Sequence, residues 1–243
     1  MEVARQPTTT SHEPQLPNLL KRLGERDSEV SKYSQFIEVQ TDEQLGSHDE
    51  PSHVEITRSV VIQEPGKTER REILEATRDG KDITSEKRKN AAEEEAKRKA
   101  KKAESIELSF ENPFKATEQS RYHYQLIGKS SQAPDHVRVR FEPKGKASQN
   151  TMIGEAEVDP STGDVFVIHG RPSEFPSHVS KLDVTMTFDA STPSGRALSK
   201  VQVLGEGGFL FFKAKMRTTV TLSDYKKGAS EPENAKREST QPH

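Results

Sequence analysis

Four segments in the second half of the chain alternate apolar and polar residues with a period of two. They are residues 136–142, 152–159, 179–189 and 209–225. In the first of them, valines and a phenylalanine occupy every second position and arginines lie between them. Because successive side chains of a strand point to opposite faces, each segment has one apolar and one polar face. The pattern predicts an antiparallel sheet with one solvated side.

Shorter runs with the same character predict further strands, and the short loops between them favour antiparallel neighbours. These strands are predicted at 36–39, 54–62, 71–77, 122–129, 164–169 and 198–204. A helix is predicted to begin at Asn18, a good N-cap residue, with a short apolar stripe at Leu19, Leu20, Leu23 and Val30.

Residues 85–104 have strong helix-forming composition but contain no Leu, Ile, Val or Phe. Glutamates at 93, 94 and 95 each have a basic residue four positions later, a spacing that supports an exposed helix. Two interpretations stay open for this charged helix. It is a solvated link between two β segments, or it is a basic arm that contacts anionic lipid head groups or an acidic protein partner.

The single apolar face of the predicted sheet must be covered. The helix at Asn18 is too short to hide it, and the charged helix offers only alanines. We therefore predict an α+β, mostly β fold: a strongly curved antiparallel sheet, or half-barrel, with a short N-terminal helix and one long charged helix. If the sheet curls so that its own side chains fill the concave side, the protein has a filled core. If a gap remains on that side, the protein has a ligand cavity. Candidate lining residues of such a cavity are Val139, Phe141, Val184, Met186, Phe188, Leu210, Phe212 and Met216.

The ends of the chain differ from this region in composition. Hydrophobic residues make up only 30% of the sequence, so a core requires that they be concentrated in the strands. Residues 1–17 and 229–243 are predicted to be disordered tails. Residues 18–228 are predicted to form a single curved-sheet domain, with the charged helix as an insertion.

Several classes of function lack their sequence features. No apolar run approaches the roughly 20 residues of a membrane-spanning helix, and no signal peptide is present in this form. With no cysteine, the chain has no disulfides or thiolate metal sites, and its net charge of −2 gives no indication of nucleic-acid binding. Its eight histidines show no metal-binding spacing, and no nucleophile motif occurs. We expect no metal, no cofactor and no enzymatic activity.

Two motifs resemble a known family. Residues 154–165, GEAEVDPSTGDV, resemble a "G-x-A-x-V-D-x-x-T-G" hairpin of uncharacterised exported proteins related to bacterial outer-membrane lipoprotein carrier and sorting proteins. Residues 217–225, RTTVTLSDY, resemble the closing strand of such proteins. The resemblance implies an incomplete β-barrel and a periplasmic or otherwise extracytoplasmic location. It also implies a hollow that holds acyl chains of lipoproteins or senses mislocalised ones.

Two hypotheses of function follow. In the first, the protein is a non-enzymatic extracytoplasmic protein that binds lipid, a lipidated protein or another apolar ligand on the concave face of the sheet. In the second, it is an interaction or scaffold module with a filled core, and its charged helix or a sheet edge contacts a protein partner.

Overall fold

The computed structural model describes residues 15–63, 69–101, 112–131, 133–209 and 212–228. Side chains at 95, 97–101, 209, 212 and 213 lie outside this description. Two α-helices are present in these residues: α1 (Leu16–Val30) and α2 (Thr84–Lys101). The strands of the first half are β1 (Gln35–Leu45), β2 (Pro51–Ile62), β3 (Arg70–Arg78) and β4 (Lys81–Asp82). Those of the second half are β5 (Tyr122–Lys129), β6 (Val137–Pro143), β7 (Met152–Val158), β8 (Val165–Pro172), β9 (Val179–Thr187), β10 (Ala190–Thr192), β11 (Gly195–Ala197), β12 (Lys200–Phe209) and β13 (Phe212–Lys226).

Eleven of these strands form one antiparallel sheet in the order β4-β3-β2-β1-β13-β12-β9-β8-β7-β6-β5. Strands β10 and β11 form a separate small hairpin. The sheet is not closed, because its edge strands β4 and β5 do not pair with each other within the described residues. The prediction of a mostly β fold with a large antiparallel sheet is confirmed.

The predicted alternation places polar residues on one face of the sheet, which we call the outer face. On β6, Arg138 and Arg140 both bind Glu155 of β7 there, with N–O distances of 2.5 and 2.8 Å. Val139 and Phe141, which alternate with these arginines along β6, have no exposed surface, because they point to the opposite face. The opposite face, which carries the core, is called the inner face below.

Helix α1 covers part of the inner face. It begins at Leu16, two residues before Asn18, because Pro17 lies in the first turn, where a missing backbone N–H is tolerated. Leu19 and Leu23 are each 1% exposed and pack into the main core. The amphipathic spacing predicted for this helix therefore serves to anchor it on the sheet.

Aromatic side chains fill the inner face over strands β5 to β7. Phe114 contacts Phe141 edge to face at a centroid distance of 5.7 Å, and Tyr122 contacts the same ring at 6.0 Å. The amide of Gln119 donates to the backbone carbonyls of Leu20 and Phe114, which fixes this segment against α1. This half of the sheet has a filled core.

The hairpin between β7 and β8 forms the docking point for α1. The Asp159 carboxylate accepts hydrogen bonds from the backbone N–H groups of Ser161 and Thr162, which shapes the turn. The Arg22 guanidinium of α1 donates to the Pro160 carbonyl at 2.6 Å. The motif residues at this turn are thus structural.

Helix α2 attaches to the other end of the sheet through its first two turns. The guanidinium of Arg88 donates to the backbone carbonyls of Ile73 and Leu74 in β3, and Lys87 forms an ion pair with Glu55 of β2. Beyond Arg88 the described side chains of α2 are exposed. The predicted helix at 85–104 corresponds to this element as far as Lys101, and residues 102–104 lie outside the described part of the chain.

Candidate binding pocket

A cavity of about 650 Å³ lies on the inner face, between α1, the β10–β11 hairpin and the central strands of the sheet. Residues of the main core and of a smaller cluster, formed by Phe36, Val61 and Leu222, both contribute to its lining. Its size falls within the roughly 300–1,000 Å³ that is usual for small-molecule sites. The apolar lining comprises Leu23, Val30, Tyr33, Phe36, Val165, Met186, Phe188, Ala197, Leu198, Val201, Val203, Val220, Leu222 and Tyr225.

The floor of the pocket is a row of aliphatic side chains set by strand register. Val201 of β12 pairs with Met186 of β9 on one side and with Val220 of β13 on the other. Directly paired residues share a face of the sheet, so the three side chains lie next to one another. Val201 and Val220 are only half-buried, because no helix or loop of the described chain packs fully over them.

One end of the pocket is aromatic. The rings of Phe36 and Tyr225 lie 5.2 Å apart, and the Tyr225 hydroxyl donates to the Leu198 carbonyl at 2.6 Å. Burial raises the pKa of Tyr225 well above its ordinary value. This tyrosine therefore presents its apolar ring to the cavity while its hydroxyl is satisfied by the backbone.

An ion pair holds α1 over the pocket. The Arg26 guanidinium binds both carboxylate oxygens of Asp164 at 2.7 and 3.1 Å, and it donates to the Ser194 carbonyl of the hairpin loop. Burial acts to raise the pKa of Asp164, but the hydrogen bonds from Arg26 and from the Arg196 backbone outweigh it. The pKa of this carboxyl therefore lies below its ordinary value.

A second charged group forms part of the wall contributed by β1. Glu38 is only 7% exposed, and the Arg71 guanidinium donates to its two oxygens at 2.6 and 3.2 Å. Burial raises the pKa of Glu38 above its ordinary value, and Arg71 offsets only part of that effect. Arg71 also binds Glu69, which lines the pocket and accepts a hydrogen bond from Gln63.

Two of the eight candidate lining residues, Met186 and Phe188, line this pocket. Val139, Phe141 and Val184 belong to the filled core instead and are at most 1% exposed. Met216 shares the inner face with Val220 but lies nearer the start of β13, where it is 51% exposed. Leu210 and the side chain of Phe212 lie outside the described residues.

Other residues that line the pocket also belong to the alternating pattern of the sequence, but they were not among the eight candidates. Val220 and Leu222 continue the alternation of the last predicted strand, and Val201 and Val203 alternate in the preceding one. Glu38 differs from these aliphatic residues because it is charged. It lies two positions after Phe36 in the same strand and therefore points to the same face. An acidic residue at an inward position of a strand is unusual and marks a polar point in an apolar wall.

Neither a metal centre nor a membrane helix is found in the described part of the chain. No group of three or more His, Cys, Asp and Glu side chains in these residues is placed to hold a metal ion. No helix among the same residues is both long and apolar enough to cross a membrane.

Comparison with known proteins gives matches among solved structures. No family model and no curated protein matches the sequence. A crystal structure described as an outer membrane lipoprotein-sorting protein domain from Vibrio parahaemolyticus is 10% identical, with a TM-score of 0.44, over 88% of this chain and 94% of that chain.

Two further structures contain the protein MucB bound to MucA. One, of MucB with MucA(peri), is 10% identical with a TM-score of 0.23, over 84% of this chain and 92% of that chain. The other, from Pseudomonas aeruginosa, is 9% identical with a TM-score of 0.24, over 84% and 93%. The structure from Vibrio parahaemolyticus is described by the same name, lipoprotein-sorting protein, as the proteins that the hairpin motif resembles. At these identities no site residue is carried over.

Proposed function

We propose that this protein is a non-enzymatic binding protein that holds an apolar ligand, such as a lipid or the acyl chain of a lipidated protein, in the pocket under α1. The observation that carries the proposal is the cavity between the two apolar clusters. Its floor is aliphatic and one of its ends is aromatic. A ligand in a pocket of this size would bury its apolar walls and make dispersion contacts with them, and both effects favour binding.

The arrangement around the pocket supports the same proposal. The strongly curved, incomplete barrel expected from the sequence would place the central strands opposite α1, and the Arg26–Asp164 pair holds this helix at the rim. We further propose an extracytoplasmic, periplasmic location, as for the exported proteins that the 154–165 hairpin resembles.

The proposal is tested with the neutral fluorophore Nile red, whose emission rises in an apolar site. Val220→Phe fills the floor of the pocket, so we expect it to weaken Nile red binding about tenfold or more, the equivalent of about 1.4 kcal/mol. Thr221→Phe is the matched control, because Thr221 is the next residue of β13 and lies exposed on the outer face. Circular dichroism checks that both variants fold, and Val201→Phe replaces Val220→Phe if the latter does not.

Two results would contradict the proposal. One is a folded wild-type protein that binds no Nile red and carries no extractable lipid by native mass spectrometry after expression. The other is equal Nile red affinity in the Val220→Phe and Thr221→Phe variants, which would place the dye elsewhere.

A contact with a protein partner through α2 is the second candidate function. It is favoured by the exposure of Lys89, Asn90 and Glu93, beyond the two turns that attach the helix to β3. Replacing residues 89–104 with a Gly-Ser linker separates the two functions. We expect Nile red affinity to be unchanged, and a loss of affinity would show that the helix belongs to the pocket.

A further inference from the structure

The pocket has a polar end whose charge differs from that of its other walls. Glu38 of β1 lies directly across from Leu222 of β13 and from Ser59 of β2, so all three occupy the inner face. The carboxylate of Glu38 is buried and lines the cavity. A ligand in the cavity would therefore meet an acidic oxygen beside an apolar wall.

The polar end is net negative. Glu38 and Glu69 share the single guanidinium of Arg71, which leaves a charge of minus one among these described residues. A carboxylate accepts up to about four hydrogen bonds. Arg71 supplies two to Glu38, and it is the one described side chain that donates to that carboxylate. Acceptor capacity remains on Glu38.

The cationic side chains of the lining are already engaged. Arg26 binds Asp164 and the Ser194 carbonyl, and Arg196 donates its Nε–H to the Phe188 carbonyl at 2.6 Å. Lys115 also has an interaction partner. An anionic head group would have to displace such contacts, whereas a donor head group could use the acceptors of Glu38 without breaking them.

A second, independent feature lies beside Glu38. The hydroxyl of Ser59 is buried without a hydrogen-bond partner, and it is the one side-chain nitrogen or oxygen of the described residues in this state. Ser59 is 1% exposed. An unsatisfied buried polar group is costly, and an ordered water molecule or a ligand group would satisfy this hydroxyl. Ser59 does not itself line the cavity, but it pairs directly with Glu38, which does.

We infer that the pocket selects apolar ligands whose head group is cationic and donates hydrogen bonds, such as a primary amine, and that Glu38 binds this head group. The inference rests on the proposed function, since it requires that the apolar part of the ligand occupy the cavity. The primary ammonium is a compact charge with three donors, which suits the open acceptors on Glu38.

Displacement of Nile red by chain-matched ligands tests this selectivity. Dodecylamine, dodecan-1-ol and dodecanoate have the same apolar chain and differ in head group, and each is used below its critical micelle concentration at pH 7. We expect the amine to bind about tenfold more tightly than the alcohol, because a charge-assisted hydrogen bond is roughly twice as strong as a neutral one. Dodecanoate should bind most weakly.

Glu38→Gln keeps the shape of the side chain and removes its charge. In this variant we expect the preference for the amine over the alcohol to fall to about twofold or less, with the alcohol affinity nearly unchanged. Glu43→Gln is the matched control, because Glu43 lies on the outer face of the same strand, paired with Arg217. It should leave the preference as in the wild type. If Glu38→Gln does not fold, Glu69→Gln removes the same charge from a 39%-exposed side chain and should reduce the preference.

The possible failures are distinguishable. Absence of Nile red and dodecanol binding would overturn the proposed function itself. Binding of Nile red and dodecanol with equal or tighter binding of dodecanoate than of dodecylamine would overturn only the selectivity. An amine preference that persists in both Glu38→Gln and Glu69→Gln would place the head group elsewhere and would also overturn the inference.

Discussion

Gly163 shows how one residue couples the β7–β8 turn to α1. Its φ angle of +76° lies in the left-handed region that favours glycine. A Cβ added here would also lie 2.8 Å from the backbone oxygen of Arg22 in α1. Gly80, in the turn after β3, has a φ of +78°, but a Cβ there would meet nothing within 4 Å.

Alanine variants at these two glycines distinguish the cost of a left-handed backbone from the cost of displacing α1. We expect Gly80→Ala to lower the free energy of unfolding by about 1 kcal/mol, the cost of a left-handed conformation. Gly163→Ala should cost about twice that or more, because α1 must also move away from the turn. Urea unfolding of both variants measures the difference, and equal losses would show that the contact with Arg22 contributes nothing.

Two glutamates on opposite faces of β1 are expected to respond to pH with opposite sign. Burial raises the pKa of Glu38, so its contribution to stability is complete below its unfolded pKa and is lost as the pH rises through the folded value. Hydrogen bonds from Arg217 lower the pKa of Glu43. Its contribution is present above the unfolded pKa and is lost as the pH falls through the folded value.

The glutamine variants make this contrast measurable by urea unfolding from about pH 3 to pH 7. As the pH rises over this range, the stability of the wild type relative to Glu38→Gln should fall. Relative to Glu43→Gln, the stability of the wild type should rise. Slopes of the same sign for both variants would mean that burial does not dominate at Glu38.

At the scale of the elements, the alternation of apolar and polar residues predicted those strands whose own residues carry the pattern. It located β6, β7 and β9 to within about two residues, because most of their inward positions are apolar. The second half of β1 is polar, from Gln40 to Gln44, and forms a strand because β2 and β13 pair with it on both sides. No local pattern marks that pairing.

The position of the pocket depended on contacts between distant segments. Val139 and Phe141 were as apolar in the sequence as Met186 and Phe188. The first pair is buried because Phe114 and Tyr122 cover that part of the sheet, and the second pair is left beside a cavity. Periodicity identifies the inner face, but the location of the gap is set by the placement of α1 and its neighbouring segment.

The attachment of α1 to the β10–β11 hairpin is predicted to depend on Arg26. Arg26→Ala removes the hydrogen bonds to Asp164 and leaves that carboxylate, whose side chain is 12% exposed, without its cation. We expect the free energy of unfolding to fall by about 2 kcal/mol, as for other hydrogen bonds to charged groups. Lys21→Ala is the control, because Lys21 is exposed and pairs with Glu25 at 3.8 Å, and it should change stability by less than about 0.5 kcal/mol.

Hydrogen exchange locates the effect of Arg26→Ala within the chain. Faster exchange in residues 190–197, compared with the Lys21→Ala variant, would support the attachment. Unchanged exchange together with full stability would mean that the ion pair is not what holds the hairpin.

On the scale of the whole molecule, one continuous sheet joins two differently packed halves. One half of the sheet consists of the neighbouring strands β9, β8, β7, β6 and β5 and has the main core. The other half consists of the neighbouring strands β3, β2, β1 and β13 and has the smaller cluster around Phe36, Val61 and Leu222. Strands β9 and β12 join the halves by backbone pairing, next to the pocket. A single domain spanning residues 18–228, with the termini as tails, remains a prediction that this continuity supports.

This asymmetry predicts an uneven response of the sheet to a ligand. Native-state hydrogen exchange should be slowest in β6 and β7, where residues such as Phe141 have no exposed surface, and faster in β3, where most side chains are exposed. A ligand such as dodecylamine at 100 times its Kd should slow exchange in β1, β12 and β13 by up to roughly a hundredfold, because these amides open only when the ligand leaves. The slowest amides of β6 should change less, unless they exchange by global unfolding.

Equal slowing of β3, β6 and β13, or slowing confined to β5–β7, would mean that the ligand does not lie between the two clusters. Repeating the measurement on Val220→Phe provides the control, because its filled pocket should show no selective protection.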